Sequence, residues 1–244
     1  MSKHAVVSLS GGMDSSTLLL RALSEYDSVT AISFDYGQKH KKELQYAKNL
    51  CDQISVEHKI IDLTSVTELL SNSSLISPEQ KIPQGHYEQE SMKATVVPNR
   101  NMILLSLATA WAINSQASTV SYAAHSGDHT IYPDCRESFA KGMNEVMQLC
   151  DWHSVTLYRP FVDMTKADIC KLGAQLKVPY EKTWSCYQAN ESHSLPNVED
   201  LGADIYLFSS YKTYGPHQGI MVIKEKLAEL LPNQGHYFNE KFLT

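Results

Sequence analysis

Ala5-Val6-Val7-Ser8-Leu9-Ser10-Gly11-Gly12-Met13-Asp14-Ser15-Ser16-Thr17 decides the architecture of this chain. An apolar, β-branched run that stops at a Gly-Gly pair and passes into a helical pattern up to Tyr26 reads as strand, tight turn and helix. A turn at a helix N-terminus is an anion site. The glycines let the backbone approach a phosphate, the first-turn N–H groups point at it, and Ser10, Ser15, Ser16 and Thr17 add hydroxyl donors. Asp14 fits among such donors if it accepts a hydrogen bond from the loop or helps hold a divalent cation. The stretch lacks the Gly-Lys-Ser/Thr ending of a Walker A loop. The alternative is a glycine-rich turn with a capping serine.

Working outward, β-branched runs alternate with amphipathic segments as in successive βαβ units. Strands are expected near 5–9, 28–34, 56–61, 118–124 and 154–158, and helices over 14–25, 38–53, 100–115, 135–150 and 165–176. The expected fold class is α/β, a doubly wound parallel five-stranded sheet covered on both faces. Residues 64–98, rich in Ser, Pro, Gln and Glu and without a period, read as a long loop or lid.

Ligands in such sheets bind beyond the carboxyl ends of the strands, so the segments found there are the candidates for chemistry. After the second strand, Asp35 and Tyr36 fall where adenine and ribose would lie, and Gly37 permits the turn; an ordinary turn with a capping Asp is the other reading. In Val97-Pro98-Asn99-Arg100-Asn101, Asn99 caps the next helix and Arg100 either forks onto an anion or lies solvated on the surface. The fourth strand delivers His125, Asp128 and His129, whose spacing matches no transition-metal pattern; Asp128 suits magnesium or a purine edge better. Asp134 is expected to cap the helix that follows it. Lys166 opens a helix against its dipole, which calls for an anion nearby.

The 244 residues are 43% apolar, enough for a real core, and carry a net charge of −6 with no basic run. That balance favours a small-molecule substrate over nucleic acid. With no leader pattern and no apolar run of the ~18–20 residues that a membrane helix needs, a cytoplasmic protein without a membrane segment is expected. Five cysteines (Cys51, Cys135, Cys150, Cys170, Cys186) stand without a CxxC pair, so neither a disulfide framework nor a complete thiolate site is visible.

The first loop resembles the SGGxDS pyrophosphate loop of the ATP pyrophosphatase superfamily, whose members activate a carboxyl or carbonyl group with ATP. SGGMDSS, FDYGQKH, VPNRN, YPDCRESF and TWSCY, in this order over residues 3–193, resemble 7-cyano-7-deazaguanine synthases of the queuosine pathway. That resemblance implies an adenine nucleotide alpha hydrolase-like sheet and a magnesium- and ATP-dependent carbon–nitrogen ligase. Such an enzyme joins 7-carboxy-7-deazaguanine and ammonia through an activated carboxylate and an amide, and then forms the nitrile. It further implies a possible homodimer, with Asp14, Arg100, Asp128 and Lys166 in catalysis. Leu9, Ser10, Gly11, Gly12, Met13, Asp14, Ser15, Ser16, Thr17, Leu18, Asp35 and Tyr36 would form the nucleotide site. Members of the family also bind zinc through the Cys of TWSCY and a following CGxCxxC cluster. Here Cys186 is a remnant, because no cysteine follows it. The alternatives are a non-catalytic ATP-binding relative and a tRNA-thiolating ATP pyrophosphatase.

Two segments are expected: a synthase domain over 1–193 and a fragment over 194–244 that does not form an independent domain. The fragment resembles the cofactor-lysine region of class V aminotransferases and cysteine desulfurase-like enzymes, with Lys212 at the Schiff-base position. So short a stretch cannot build that fold, so pyridoxal phosphate is not expected. The run Ile205 to Phe208 is expected either to pack loosely or to add an edge strand to the main domain.

Overall fold

The computed structural model describes residues 3–38, 41–70, 73, 75–76, 94–183, 205–209 and 219–223. It divides the chain into two units, Met1–Ala189 and Asn190–Thr244.

In the first unit, β1 (His4–Ser8), β2 (Ser28–Asp35), β3 (Glu57–Asp62), β4 (Thr119–Ser121) and β5 (Thr156–Tyr158) form one parallel sheet in the order β3-β2-β1-β4-β5. β1 lies at its centre with Ala5, Val6 and Val7 fully buried, as an apolar run without polar alternation requires. β3 is an edge strand and keeps Glu57 and Lys59 exposed, charges that discourage pairing with another chain.

The helices α1 (Met13–Glu25), α2 (Lys42–Ile54), α3 (Arg100–Asn114), α4 (Glu137–Leu149) and α5 (Lys166–Gln175) cover both faces. One core layer joins Val7, Ala31 and Phe161 to Leu18 and Leu19 of α1, Leu50 of α2 and Ile169 of α5. The other joins Val6, Ile32 and Val120 to Leu105 and Ala108 of α3 and Met143 of α4. The doubly wound α/β expectation is met. Among the described residues, no helix is long and apolar enough to cross a membrane.

Local differences from the expected elements have local causes. α2 begins at Lys42 instead of 38, because Gln38 folds back on the turn. Its side chain donates to the Phe34 carbonyl (3.1 Å) and accepts from the Tyr36 N–H (2.9 Å). β4 stops at Ser121; just beyond it the Tyr122 N–H still reaches across, to the Tyr158 carbonyl at 3.3 Å. The stretch read as lid contains a 3₁₀ helix (Thr64–Leu70), and its Leu75 and Ile76 pack with Val97 as a small core of their own. Asp134 does not cap α4: it accepts from the Asn101 N–H at 3.0 Å and so holds the start of α3. Asn99, expected to do that, stands at the N-cap of α3 in a left-handed conformation (φ 57°) and makes no capping bond. In the second unit, β6 (Ile205–Ser209) pairs antiparallel with β7 (Gly219–Ile223) as a two-stranded sheet.

Candidate active site at the carboxyl edge of the sheet

The chain leaves β1 and β4 in opposite lateral directions, so a crevice opens between their carboxyl ends, where ligands of such sheets bind. The Ser10–Gly12 turn lies at this switch point. Gly11 has φ 85°, and a Cβ there would overlap the Glu43 carbonyl of α2. Its glycine is therefore demanded by helix packing as well as by conformation. Gly12, at the N-cap of α1, has extended backbone and brings no side-chain cap, and the first N–H groups of a helix have no intrahelical partner.

Hydroxyls hold the turn in shape. The Ser10 N–H donates to Ser15 Oγ (3.2 Å), the two serine hydroxyls are 3.0 Å apart, and the Gly12 N–H donates to Ser10 Oγ (3.3 Å). Thr17, read as a further anion donor, is committed elsewhere: its hydroxyl donates to the Met13 carbonyl at 2.9 Å and lies 3.0 Å from the Tyr180 hydroxyl. Leu9, Met13 and Leu18 are core side chains. Ser16 Oγ is buried without a partner among the described residues.

Asp14, in the first turn of α1, gathers two other segments, α5 and the stretch after β4. Its Oδ2 is 2.9 Å from Lys166 Nζ and 3.8 Å from His125 Nε2, which is itself 3.6 Å from Asp128 Oδ1. Lys166 arrives because Ser126 clamps the segment after β5: its N–H and hydroxyl both donate to the Met164 carbonyl, at 3.1 and 2.8 Å. The anion that Lys166 required is thus Asp14. Asp168 is the capping partner of Thr165 and stands outside the group. His125 is almost fully buried, and its Nδ1 accepts from the Gly127 N–H at 3.0 Å, which leaves the proton of the neutral ring on Nε2. Burial pushes its pKa down, against the pull of Asp128 and Asp14.

Asp14 Oδ1 is buried and has no partner among the described residues. A carboxylate oxygen left so, beside a second carboxylate and at the mouth of a phosphate-type loop, suits a hard divalent cation. Magnesium takes one or two carboxylates and otherwise phosphate and water oxygens, so a larger acidic cluster is not needed. Among the described residues no group of three or more His, Cys, Asp or Glu forms a metal site. A thiolate zinc site does not fit the residues present: no cysteine follows Cys186, and Cys51 and Cys135 are buried in different core layers. Cys186 and Lys212 lie outside the described residues.

A second group lies on the same edge, over β2. Arg100, the first residue of α3, hydrogen-bonds Tyr36 and faces Glu43 of the first turn of α2. Burial raises the Tyr36 phenol, and the Arg100 charge opposes that rise. Burial also pushes the Glu43 carboxyl up to about 7, again against Arg100. Asp35 stands beside this group, accepting from the Gly37 N–H (3.1 Å) and from Lys41 Nζ (2.8 Å). Sequence reasoning found Arg100, Tyr36 and Asp35 but missed Glu43, because an acid in a first helical turn is commonplace there.

The family described as queuosine biosynthesis protein QueC matches residues 4–196. The chain is similar to 7-cyano-7-deazaguanine synthase 2 of Colwellia psychrerythraea, with 50% identity over 189 residues, 78% of this chain and 86% of that one. It is similar to 7-cyano-7-deazaguanine synthase of Methanoregula boonei, with 51% identity over 187 residues, 77% of this chain and 86% of that one. Among solved structures it is similar to an NH3-dependent NAD synthetase from Campylobacter jejuni, at 21% identity and a TM-score of 0.44, over 75% of this chain and 67% of that one.

Proposed function

The chain belongs to the queuosine biosynthesis protein QueC family, and from that premise we propose that it is an ATP-dependent carbon–nitrogen ligase converting 7-carboxy-7-deazaguanine and ammonia to 7-cyano-7-deazaguanine. The observation that carries the reading is Asp14: one oxygen on Lys166, the other buried and unpartnered among the described residues, in the first turn behind the Ser10–Gly12 loop.

The physical task is to make a carboxylate electrophilic. Transfer of its oxygen to the α-phosphorus of ATP turns it into an acyl group with a good leaving group, which ammonia attacks to give the amide. A second activation, now of the amide oxygen, allows its departure as the nitrile forms. The protein's share is to bind, orient and balance charge. In the proposal, the N–H groups of the loop and of the first turn of α1, with the Ser10 and Ser15 hydroxyls, cradle the phosphates, and Lys166 neutralises them. Asp35 and Tyr36 flank the adenosine, and Arg100 receives an anionic group. Asp14 and Asp128 would hold magnesium, which supplies charge neutralisation at the phosphates when bound. His125 Nε2–H keeps the two carboxylates apart without adding a charge.

The catalytic unit in this proposal is residues 1–193, and the protein acts in the cytoplasm as a homodimer on a small molecule; the net charge of −6 supports the preference over nucleic acid. The test is release of AMP and pyrophosphate by the purified full chain with ATP, magnesium and ammonium. Release that depends on added 7-carboxy-7-deazaguanine supports the proposal, and release indifferent to it contradicts it. Sedimentation of the same preparation tests the dimer.

A further inference from the structure

α1 and α5 bring Asp14 and Lys166 together from distant parts of the chain, yet the pair itself is poorly placed to hold the two helices. Lys166 keeps 48% of its side chain exposed and Asp14 21%, and an ion pair so open to water does little to fix its neighbours. A buried tie between the same helices lies one helical turn further on, at the Tyr180 hydroxyl.

Tyr180 reaches that place through the way α5 ends. Lys177, just beyond the C-cap Leu176, is left-handed (φ 57°), its N–H donates to the Ala174 carbonyl (3.2 Å), and the Val178 N–H donates to the Gly173 carbonyl (2.9 Å). This pair of bonds is a Schellman ending, which reverses the chain and returns the 3₁₀ turn Tyr180–Lys182 to α5. The Tyr180 hydroxyl then stands 3.0 Å from Thr17 Oγ1, 3.3 Å from the Ile169 carbonyl and 3.5 Å from the Cys170 carbonyl. Because Thr17 donates its own proton to the Met13 carbonyl, it accepts from Tyr180.

The spacing relates this tie to the ion pair. Thr17 is fully buried and lies three residues after Asp14, while Ile169 and Cys170 lie three and four residues after Lys166. Those are the same-face neighbours, one turn on, of each member of the pair. The Cys170 thiol meets the Met13 sulfur at 3.4 Å along the same seam. Gly173 keeps the seat of the hydroxyl open: a Cβ there would stand 1.6 Å from the Tyr180 oxygen and 3.0 Å from Thr17 Oγ1. Glycine inside a helix is less stable than alanine, so its presence within α5 has a reason in this contact.

We propose that Tyr180 is a positioning residue for nucleotide activation. Its hydroxyl, seated over Gly173, sets α1 against α5 so that Lys166 meets both Asp14 and the phosphates of the ligase reading, on which this role rests. Tyr180 acts through Lys166 and not on the substrate itself.

The test is a double-mutant cycle on the full chain, in which Tyr180→Phe removes only the hydroxyl and Lys166→Gln removes the group it positions. Two quantities are read: equilibrium binding of magnesium-ATP, and exchange of labelled pyrophosphate into ATP, dependent on 7-carboxy-7-deazaguanine and run without ammonia. With Lys166 present, Tyr180→Phe is expected to weaken binding about 5-fold and to lower exchange about 10-fold, the scale of a displaced positioning group. In the Lys166→Gln background it is expected to change either by less than about 2-fold, whereas a merely structural role would give equal losses in both backgrounds. Gly173→Ala, which pushes the hydroxyl off its seat, is expected to repeat the pattern. Equal losses in both backgrounds, no loss from Tyr180→Phe, or wild-type behaviour of Gly173→Ala overturns the proposal. Wild-type exchange that is absent or indifferent to 7-carboxy-7-deazaguanine overturns the ligase reading instead, and the binding cycle alone then decides the role of Tyr180.

Discussion

Two groups of side chains share the carboxyl edge of one sheet and treat a carboxylate in opposite ways. Around Asp14, charges from α1, α5 and the segment after β4 meet at short range, and Asp14 is held by Lys166 at 2.9 Å. Around Glu43, the carboxyl is desolvated and faces Arg100 without a close ion-pair partner among the described residues, so its pKa climbs to about 7. The first environment keeps a negative charge in place for phosphates and a cation; the second lets a proton come and go. Neighbouring carboxylates on one edge thus acquire different chemistry from their partners alone.

The largest expected effect comes from the first group. Asp14→Asn removes the anion that Lys166 and a cation need, and should lower both pyrophosphate exchange and product formation by about 1000-fold or more, with little change in melting temperature. If this variant kept pyrophosphate exchange, Asp14 would not be holding the phosphates or a cation, and the contrast with Glu43 would collapse.

Gly11→Ala strikes both groups at once. It places a Cβ on the Glu43 carbonyl at a residue with φ 85°. The expected loss is about 2–4 kcal/mol of stability, read by denaturant titration, because the overlap is with backbone and cannot rotate away. A neutral outcome would mean that α2 and the loop are not in contact.

Glu43→Gln also sharpens the contrast through stability. With a folded pKa of about 7 against an ordinary 4.5, the folded chain between those values holds a proton that the unfolded chain has lost. The carboxyl's stabilising contribution is complete below the ordinary value and is lost as pH rises through about 7. The glutamine variant should therefore gain on wild type by on the order of 2 kcal/mol at about pH 8 and by little at about pH 5, in paired thermal melts. An advantage that did not grow with pH would remove the desolvated carboxyl from the account. The smallest effect belongs to Asp134→Ala, which should cost about 1 kcal/mol by uncapping α3, with Arg100 less well held and amide formation only modestly lowered.

The sheet and the first group were legible in the sequence for a physical reason. A central strand buried on both faces must be apolar throughout, and a loop that turns at Gly11 must carry a glycine, so both leave local marks. Lys166 was legible too, as a cation set against its helix dipole. The second group was not, because it depends on packing across elements distant in sequence. Glu43 looks like any first-turn acid until α2 is seen against Gly11 and Arg100. The passing of the α3 capping role from Asn99 to Asp134 is of the same kind: each occupies a plausible capping position in the sequence, and only the approach of residue 134 to residue 101 decides which one serves α3. Thr17 was misread as an anion donor because its hydroxyl turns inward to Met13 and Tyr180, a partner far along the chain.

The measurement that tests the central claim most directly is mass-spectrometric analysis of the product made by the purified full chain from 7-carboxy-7-deazaguanine, ATP, magnesium and isotopically labelled ammonium. The account predicts the amide and then the nitrile, each carrying the labelled nitrogen, and neither from the Asp14→Asn variant. Unchanged carboxylate in the wild-type reaction, with ATP bound, would contradict it.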